Sequence, residues 1–454
     1  MEMSELSWII DRLQEVQNDE FFILRDKSYS YLDLVQNITT WQSELGRLGV
    51  VEGECVAIIG DYSPNVIFLL LALILNKNII VPIGSESKEK QDEMFLVAKV
   101  NKYFEFNEDD TWNYYPVSGD STHQLLDRLR IDNESGIIIF TSGTSGKSKA
   151  AVLCTSRLIE RYRTAKRKPF RTMVFLKLDH IGGINTLFAI MFNGGTIVTS
   201  QERTPQSVCE SIQKHKVQLL PTTPTFLNML IMSKFYENYN LSSLEIITYG
   251  TEPMPQSTLS AMNSIFPTVT LKQTYGLTEL GIFSTKSKDS HSKWMKVGGK
   301  GVEMKIIDKI LWIRTSAAML GYLNAPSPFV NDGWYNTGDQ VEVDGEYIKI
   351  LGRKSEIINV GGEKVYPTEV ESVLLEIPNI KDVLVSGKNS PITGQIVVAT
   401  VVLNELEETK DVRKRIIDYC KERLLPYKTP TLIIVSDKEL VSERFKKMRS
   451  GVAI

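Results

Sequence analysis

Apolar and polar residues alternate with two different periods along the first part of the chain. Short apolar runs predict buried strands, whereas apolar residues spaced by three and four positions predict amphipathic helices. The helix over residues 31–48 is expected to end at Gly49, and Ser63-Pro64 is a favourable start for the next helix. The predicted order is helix 6–16, strand 21–24, helix 31–48, strand 55–59, helix 65–75, strand 79–82 and helix 88–100. This alternation favours a parallel sheet with helices on its faces.

The alternation continues beyond residue 137, and polar loops follow several of the strands. The predicted elements are strand 137–140, helix 156–166, strand 172–178, helix 184–192, strand 196–199, helix 206–215 and strands 217–220, 244–249 and 269–272. Polar loops begin at Asp179, Pro221, Gly250 and Gln273. Ligands of open α/β sheets bind beyond the carboxyl ends of the strands, so we expect these loops to share a site.

The pattern changes near residue 298. Short alternating runs predict antiparallel strands at residues 304–307, 310–314, 340–343 and 347–351. After a charged break, the chain predicts helix 367–375, strands 383–386 and 396–403 and helix 412–424. We expect an α/β fold with a large domain over residues 1–352 and a small α+β domain over residues 353–454. The large domain should contain stacked, mostly parallel sheets with flanking helices and a small antiparallel β region.

Composition narrows the class of protein. A chain of 454 residues is too long for one ordinary core, and its formal net charge of -3 argues against a general nucleic-acid or anionic-membrane binder. The four cysteines have no paired spacing, so neither a disulfide framework nor a zinc site is expected. The apolar run at residues 66–75 is too short to span a bilayer. A reducing cytoplasm fits these features best.

A loop rich in glycine and hydroxyl side chains follows the strand at residues 137–140. It reads TSGTSGKSK from Thr141 to Lys149. Glycines let backbone N–H groups approach an anion, and the lysines add positive charge, so the loop is suited to a polyphosphate. The spacing of a kinase-type P-loop would require glycine at Thr141, which excludes that loop. A surface linker is the alternative interpretation.

The same loop resembles the Thr-Ser-Gly-Thr-Thr-Gly-x-Pro-Lys-Gly signature of the adenylate-forming enzymes. This family includes acyl- and aryl-CoA synthetases, luciferases and the adenylation domains of peptide synthetases. The loop departs from the signature at Ser145, Ser148 and Ala150. The resemblance implies nucleotide contacts from Thr141, Ser142, Gly143, Thr144, Ser145, Gly146 and Lys149, with Thr144 also near the metal.

Residues 273–279, QTYGLTE, resemble the family's Tyr-Gly-x-Thr-Glu motif. Tyr275 offers a flat face for adenine, Thr278 a hydroxyl for the α-phosphate, and Glu279 a hard oxygen for Mg²⁺. The resemblance adds Gln273, Thr274 and Gly276 to the nucleotide site. The alternative is a turn followed by an acidic helix start.

Two further stretches resemble nucleotide-binding loops of the family. Gly250, Thr251, Glu252 and Pro253 match its adenine loop, and residues 333–339 resemble Gly-Trp-Tyr/Phe-x-Thr-Gly-Asp. The resemblance implies that Asp339 binds the ribose hydroxyls. It also implies that Arg353, one hairpin later, lies near the ribose and phosphate. Ordinary turns are the alternative in both cases.

Residues 352–371 form the longest match to the family. The resemblance places the hinge of a mobile C-terminal lid domain at Ser355, where the family usually has aspartate or lysine. The family also has a lysine near its C-terminus, which neutralises charge as the adenylate forms. Counting from Leu440 selects Lys447, which we favour, and counting back from Arg449 selects Lys446. The usual proline, threonine and glycine are missing there, so a basic solvated tail is the competing interpretation.

The acyl pocket is harder to assign from the sequence. His180 falls where family members place an aromatic or histidine wall, although a buried structural histidine is nearly as reasonable. Gly182, Gly183, Phe226 and Phe283 are further pocket candidates.

The resemblance covers residues 20–449 and implies activation of a carboxylic acid by MgATP, followed by thioester formation with coenzyme A. The alternative acceptor is the phosphopantetheine arm of an acyl or aryl carrier protein. A non-catalytic nucleotide-binding homologue is a third reading, supported by the altered lysine region. The expected partners are a small carboxylic acid and the thiol, without nucleic acid or a membrane span.

Overall fold

The computed structural model describes residues 7–24, 26–118, 122–142, 148–164, 168–200, 202–438, 440 and 447. Its first elements are α1 (Ser7–Gln14), β1 (Glu20–Leu24), β2 (Lys27–Ser30), α2 (Tyr31–Arg47), β3 (Cys55–Ile59), α3 (Pro64–Leu75), β4 (Ile79–Ile83), α4 (Lys88–Ala98), β5 (Lys102–Phe106) and β6 (Trp112–Pro116). The predicted start of α3 is confirmed: the Ser63 hydroxyl accepts a hydrogen bond from the N–H of Val66 at 3.3 Å, and Pro64 follows it.

The middle of the chain continues the alternation. It contains α5 (Gln124–Ile131), β7 (Gly136–Ser142), β8 (Ser148–Cys154), α6 (Thr155–Thr164), β9 (Arg171–Met173), α7 (Ile181–Met191), β10 (Thr196–Val198), α8 (Pro205–His215), β11 (Leu219–Thr222), α9 (Pro224–Ser233), β12 (Ile246–Tyr249), α10 (Gln256–Ile265) and β13 (Thr270–Gln273). The strand predicted over residues 172–178 is wrong in extent. Only Arg171–Met173 pair with neighbours, because the chain then leaves the sheet for the loop that leads to α7.

Antiparallel structure dominates the next segment, as the sequence predicted. It contains β14 (Gly276–Leu277), β15 (Gly281–Ile282), β16 (Ser284–Ser287), β17 (Met295–Gly298), β18 (Val302–Ile307), β19 (Ile310–Thr315), β20 (Gly321–Tyr322), β21 (Phe329–Val330), β22 (Trp334–Asp344) and β23 (Tyr347–Arg353). The last elements are β24 (Ile358–Val360), β25 (Glu363–Val365), α11 (Pro367–Leu374), β26 (Ile380–Ser390), β27 (Gly394–Leu403), α12 (Thr409–Lys421) and β28 (Leu432–Val435).

Two large sheets organise the first part of the molecule. One has the strand order β13-β12-β11-β9-β10-β1-β2 and is parallel except between β1 and β2. The other has the order β20-β8-β7-β4-β3-β5-β6, with a parallel centre and antiparallel edges. The prediction of stacked, mostly parallel sheets with an antiparallel β region is therefore confirmed.

Helices fill the space between the two sheets and cover their outer faces. Ile137 and Ile139 of β7 face a core that also contains α3 and α7, whereas Ile138 and Phe140 face the opposite side with α4 and α5. This period of two is expected of a strand buried on both faces. A further core lies between the first sheet and α8, α9 and α10.

The C-terminal segment forms its own sheet and core. β24, β25, β26, β27 and β28 pair with one another, and α11 and α12 pack on them. Arg353 still pairs with Asp339 in the β22–β23 hairpin, and the small sheet begins at Ile358. The described part of the chain has no helix with the length and apolar character needed to cross a bilayer.

Candidate active site

A large cavity lies where β11, β12 and β13 end, which is the edge of the sheet that the polar loops predicted. Its volume is about 1110 Å³, enough for a nucleotide together with a small acid. The sequence-predicted residues that line it are Thr141, His180, Gly182, Thr251, Glu252, Pro253, Gln273, Thr274, Tyr275, Gly276, Thr278, Glu279, Phe283, Asp339, Arg353 and Lys447. Parallel strands bring these loops together because their carboxyl ends share one edge.

Tyr275, Asp339 and Arg353 form one hydrogen-bonded group in the wall of the cavity. The Tyr275 hydroxyl donates to Asp339 Oδ2 at 2.6 Å, and Arg353 Nε lies 3.5 Å from Asp339 Oδ1. The β22–β23 register places Asp339 directly opposite Arg353, which confirms the predicted hairpin. Burial raises the pKa of Asp339, although Arg353 and the Tyr275 hydrogen bond act in the opposite direction. A carboxylate has further lone pairs, so Asp339 can still accept ribose hydroxyls.

The wall of the cavity contains an unsatisfied hydrogen-bond acceptor. Gln273 is 6% exposed, and its amide oxygen has no hydrogen-bond partner among the described residues. A buried acceptor of this kind favours a ligand with an amino group, as adenine has. Tyr275 is stacked with Phe283 at a centroid separation of 5.9 Å, so Phe283 fixes the ring that was predicted to contact adenine.

Thr278 and Glu279 lie in a turn between two short antiparallel strands, β14 and β15, rather than at a helix start. Glu279 Oε1 accepts a hydrogen bond from the Tyr322 hydroxyl at 2.5 Å. No lysine or arginine forms an ion pair with Glu279 within the described ranges. This half-buried carboxylate therefore fits Mg²⁺, which takes few protein ligands beside phosphate oxygens and water.

The predicted adenine loop connects the large sheet to the C-terminal segment. Thr251 has a φ of 71°, a left-handed conformation that costs a β-branched residue about 1–3 kcal/mol. Glu252 Oε1 accepts from the N–H of Thr225 at 3.3 Å, and Oε2 accepts from the N–H of Lys447 at 3.2 Å. Gly250 does not line the cavity; it permits close packing, because a Cβ there would lie 2.4 Å from Thr274 Oγ1.

The glycine- and hydroxyl-rich loop is described only at its ends. Gly143, Thr144, Ser145 and Gly146 lie outside the described residues, as does the side chain of Ser142. β7 and β8 flank the loop as an antiparallel pair, so a strand follows it rather than the helix of a kinase-type P-loop. Thr141 lines the cavity, whereas Lys149 does not: its ammonium lies 5.3 Å from the centre of the Tyr322 ring.

His180 both lines the cavity and makes a structural hydrogen bond, which are the two roles that the sequence left open. Its Nδ1 accepts a hydrogen bond from the N–H of Gly182 at 3.1 Å, so the ring caps α7 while it lines the cavity. One face of α7 continues the lining through Gly182, Asn185, Thr186, Ala189 and Ile190. This spacing of three and four residues makes one face of α7 a wall of the cavity.

Two predicted pocket residues are structural instead. Phe226 is fully buried, and its ring centroid lies 4.3 Å from that of Phe175 in the core, outside the cavity lining. A Cβ on Gly183 would lie 2.0 Å from the carbonyl oxygen of Lys177, so this glycine permits a close backbone approach. The prediction that Phe226 and Gly183 are pocket residues is therefore corrected.

Lys447 is among the residues that line the cavity, and its ammonium is held by groups of the small unit. The Nζ atom donates to the carbonyl oxygen of Val383 at 2.5 Å and lies 3.7 Å from Glu371 and 3.6 Å from Asp382. The side chain is 8% exposed. The favoured assignment of Lys447 as the adenylation lysine therefore does not hold in this arrangement, and Lys446 lies outside the described residues.

Sequence reasoning missed several residues at the cavity, two of which bear on its chemistry. Tyr322 is a hydrogen-bond partner of Glu279, and Arg161 lines the cavity from α6. Neither stands in a recognisable motif: Tyr322 reaches Glu279 only because β20 pairs with β8, and Arg161 lies in a segment that was predicted only as a helix. The predicted hinge residue, Ser355, is exposed in a short 3₁₀ turn between β23 and β24.

Hydrogen bonds between described residues join the large and small units. Ser372 Oγ accepts from the N–H of Ser257 at 3.2 Å, and Asn228 Nδ2 donates to the carbonyl oxygen of Lys381 at 3.3 Å. The Lys447–Glu252 bond is a further contact of this kind. No group of three or more histidine, cysteine, aspartate and glutamate side chains is arranged to hold a metal in the part of the chain that the structure describes.

Fold and site together define an enzyme that activates its substrate with a nucleotide. Models of the AMP-binding enzyme family match residues 105–323, and those of its C-terminal domain match residues 369–451. The chain belongs to this adenylate-forming family.

Relatives within the family are ligases. The chain is 28% identical to the indoleacetate–CoA ligase of Aromatoleum aromaticum, over 96% of this chain and 94% of that protein. It is 25% identical to the 2-succinylbenzoate–CoA ligase of Bacillus pumilus, over 94% and 93% of the two chains. A solved structure of the O-succinylbenzoate coenzyme A synthetase of Bacillus subtilis, in complex with ATP and magnesium ion, has a TM-score of 0.75. That structure is 22% identical and covers 97% of this chain and 98% of its own.

These findings confirm the prediction of an AMP-forming acid–CoA ligase that uses ATP, Mg²⁺ and coenzyme A. They contain nothing in favour of a carrier protein as the thiol acceptor.

Proposed function

We propose that the protein activates an aromatic carboxylic acid as its adenylate and transfers the acyl group to coenzyme A. The observation that carries the proposal is one cavity lined both by the Tyr275–Asp339–Arg353 group and by the inner face of α7. The nucleotide and the acid can therefore meet without crossing solvent. Both ligase relatives act, by name, on acids that contain an aromatic ring.

The acyl pocket has the surface that an aromatic ring needs. Ile181, Ala189 and Ile190 line it from α7, and Ile282 and Phe283 add further apolar surface. Apolar walls with a few polar groups are typical of sites for small organic ligands. We propose that the ring packs against α7 while the carboxylate points toward His180, at the N-terminal end of the helix.

The residues around the nucleotide have separable tasks in this proposal. Asp339 accepts the ribose hydroxyls, and Arg353, beside that carboxylate, favours its ionised form. Thr278 donates its hydroxyl to the phosphate that the acid attacks. Glu279 would hold Mg²⁺, which when bound neutralises charge on the phosphate oxygens. Positioning and charge stabilisation together can supply most of the rate acceleration of adenylation.

The adenylation lysine requires a revised proposal. Because Val383, Glu371 and Asp382 hold the ammonium of Lys447 inside the small unit, we propose Lys446 as the residue that neutralises the developing charge. The same contacts make Lys447 an anchor for the C-terminal segment. We further propose that residues 1–352 and 353–454 act as two domains and that the turn at Ser355 is the hinge between them.

We also propose that the protein is located in a reducing cytoplasm. All four cysteines are buried free thiols, and burial raises the pKa of Cys420 to about 11 and that of Cys55 to about 12. Thiols with such pKa values are weak nucleophiles near neutral pH.

The test is carboxylate-dependent exchange of pyrophosphate into ATP. Indoleacetate, 2-succinylbenzoate and a series of straight-chain fatty acids should be compared, with AMP and ADP separated as products. We expect exchange with an aromatic acid, AMP as product, and thioester formation when coenzyme A is added. Exchange with fatty acids alone would reject the aromatic assignment, and ADP as product would reject adenylation.

A second arm of the experiment distinguishes the thiol acceptors. The enzyme with its best acid should be offered coenzyme A or a phosphopantetheinylated carrier protein at equal concentration. Faster transfer to coenzyme A supports the proposal. Transfer to the carrier protein alone would contradict it. Folded protein that binds MgATP but exchanges with no acid would favour a non-catalytic homologue.

A further inference from the structure

Arg161 is a cation in the wall of the acyl pocket that the nucleotide chemistry does not use. It lies on α6 and lines the cavity, as do Asn185 of α7 and Ile282 of β15. Its Nη1 atom donates to the carbonyl oxygen of Ile282, and the guanidinium lies 5.2 Å from the centre of the Tyr162 ring. These two contacts hold the side chain at the cavity.

The guanidinium has no carboxylate partner within the described ranges of the chain. Arg163, on the same helix, forms an ion pair with Glu160 at 3.9 Å and is 52% exposed. Arg161 is partly buried, and a guanidinium carries five N–H donors, of which the Ile282 carbonyl satisfies one. A partly desolvated cation gains most when an anionic acceptor reaches it.

Asn185 supplies a second donor at the same place. The Tyr162 hydroxyl donates to Asn185 Oδ1 at 3.1 Å, so the amide NH₂ of Asn185 is the group left to act as a donor. Asn185 lines the cavity, as Arg161 does. A cation and an amide donor on adjoining walls recognise an oxygen-bearing group, and a carboxylate matches both.

These donors lie some distance from His180, where the reacting carboxylate of the acid is proposed to bind. Asn185 follows His180 by five residues, which places it about 7–8 Å further along α7. This distance matches the length of one aromatic ring with a substituent. The acid can therefore present one carboxylate near His180 and a second oxygen-bearing group to Arg161.

We propose that Arg161, together with Asn185, selects aromatic acids that carry a second carboxylate on the ring. The inference rests on the proposed function, since it assigns the substrate class of that same pocket. Arg161 is a specificity-determining residue: it binds the part of the acid that does not react. Its contribution should therefore appear mainly in the KM for the acid rather than in kcat.

The test compares matched pairs of acids by pyrophosphate exchange. One pair is 2-succinylbenzoate and the analogue in which a methyl group replaces its ring carboxylate; others are phenylacetates with a carboxylate or a methyl group at each ring position. The wild-type enzyme should prefer the carboxylate member of at least one pair by about 10- to 100-fold, because the methyl group leaves the donors unpaired. R161M should abolish this preference through KM, and R161K should retain part of it.

R163M is the matched control, because Arg163 lies on the same helix but outside the cavity lining. It should keep the wild-type preference. If R161M lowers thermal stability, R161K and N185A carry the comparison in protein whose stability and MgATP binding are unchanged.

The outcomes separate this inference from the proposed function. Equal exchange with both members of every pair, or a preference that survives in R161M, would overturn the role of Arg161 while the ligase assignment stands. No exchange with any acid would overturn both.

Discussion

The ammonium of Lys447 lies 3.7 Å from the carboxylate of Glu371, and both side chains are almost excluded from solvent, at 8% and 1% exposure. Glu371 Oε1 also accepts from the N–H of Val385 at 3.0 Å, so the pair is fixed to the sheet of the small unit. At the same time the N–H of Lys447 binds Glu252 of the large unit. One residue thus ties the C-terminal segment to both units.

Replacement of Lys447 by methionine should destabilise the protein, because it leaves a buried carboxylate without its cation. We expect a loss of about 3–5 kcal/mol in the free energy of unfolding of the small unit. Denaturant unfolding of K447M measures it. The double variant K447M/E371Q should recover part of the loss, since it removes both charges.

K428M is the matched control, because Lys428 pairs with Glu369, whose side chain is 43% exposed. A loss of about 0–1 kcal/mol is expected there. Equal losses in K428M and K447M would contradict the anchoring role of Lys447.

Replacement of Lys446 by alanine should slow adenylation without affecting stability. Removal of a charge that stabilises the transition state costs on the order of 100- to 1000-fold in rate. Pyrophosphate exchange measures this step, and thioester formation from chemically prepared acyl-adenylate measures the other, which should change little. K447R should retain most of the exchange activity. A larger loss of exchange in K447R than in K446A would restore Lys447 as the catalytic lysine.

Glu279→Gln should weaken the use of Mg²⁺. The neutral amide keeps the hydrogen bond from Tyr322 but lacks the charged oxygen that the ion prefers. We expect adenylation to fall by about 100-fold or more and the Mg²⁺ concentration for half-maximal rate to rise. E303Q, in the exposed Arg314 ion pair, is the control. An unchanged Mg²⁺ requirement in E279Q would remove Glu279 from the metal site.

Asp339→Asn should stabilise the protein near neutral pH while it lowers the affinity for ATP. Burial raises the folded-state pKa of Asp339 above the unfolded value of about 3.9. Between these two values the folded state binds more protons than the unfolded state, so stability falls as pH rises through that window. The Tm of D339N relative to wild type should therefore increase from about pH 4 upward.

The same variant loses a charged acceptor for the ribose, which should raise the KM for ATP by about 10- to 100-fold. D344N is the control, because Asp344 is exposed in the same hairpin. A Tm difference between D339N and wild type that does not vary with pH would show that ionisation of Asp339 has no influence on stability.

Much of the fold follows from the sequence because local physics sets it. Apolar runs such as residues 137–140 are buried on both faces of a sheet, and the Ser63-Pro64 start of α3 caps a helix wherever that helix packs. The residues predicted for the nucleotide site also follow from sequence, since Tyr275, Glu279, Asp339 and Arg353 stand in ordered motifs. Their meeting at one cavity required only that strand ends share an edge.

Tertiary structure decided which of the candidate residues line the cavity, because the motifs alone could not. Phe226 and Gly183 resemble pocket residues in sequence, but packing against Phe175 and against the Lys177 carbonyl removes them from the cavity. Lys447 and Lys446 are adjacent and chemically identical, and only the folded structure shows that Lys447 lies beside the buried carboxylate of Glu371. Arg161 belongs to no motif, and its place in the same cavity as Asn185 depends on how α6 packs on α7. The sequence by itself determined the class of reaction, because phosphate and ribose chemistry needs fixed residue types at fixed spacing. The pocket for the acid is built by contacts between residues far apart in the chain, and only the folded arrangement determines them.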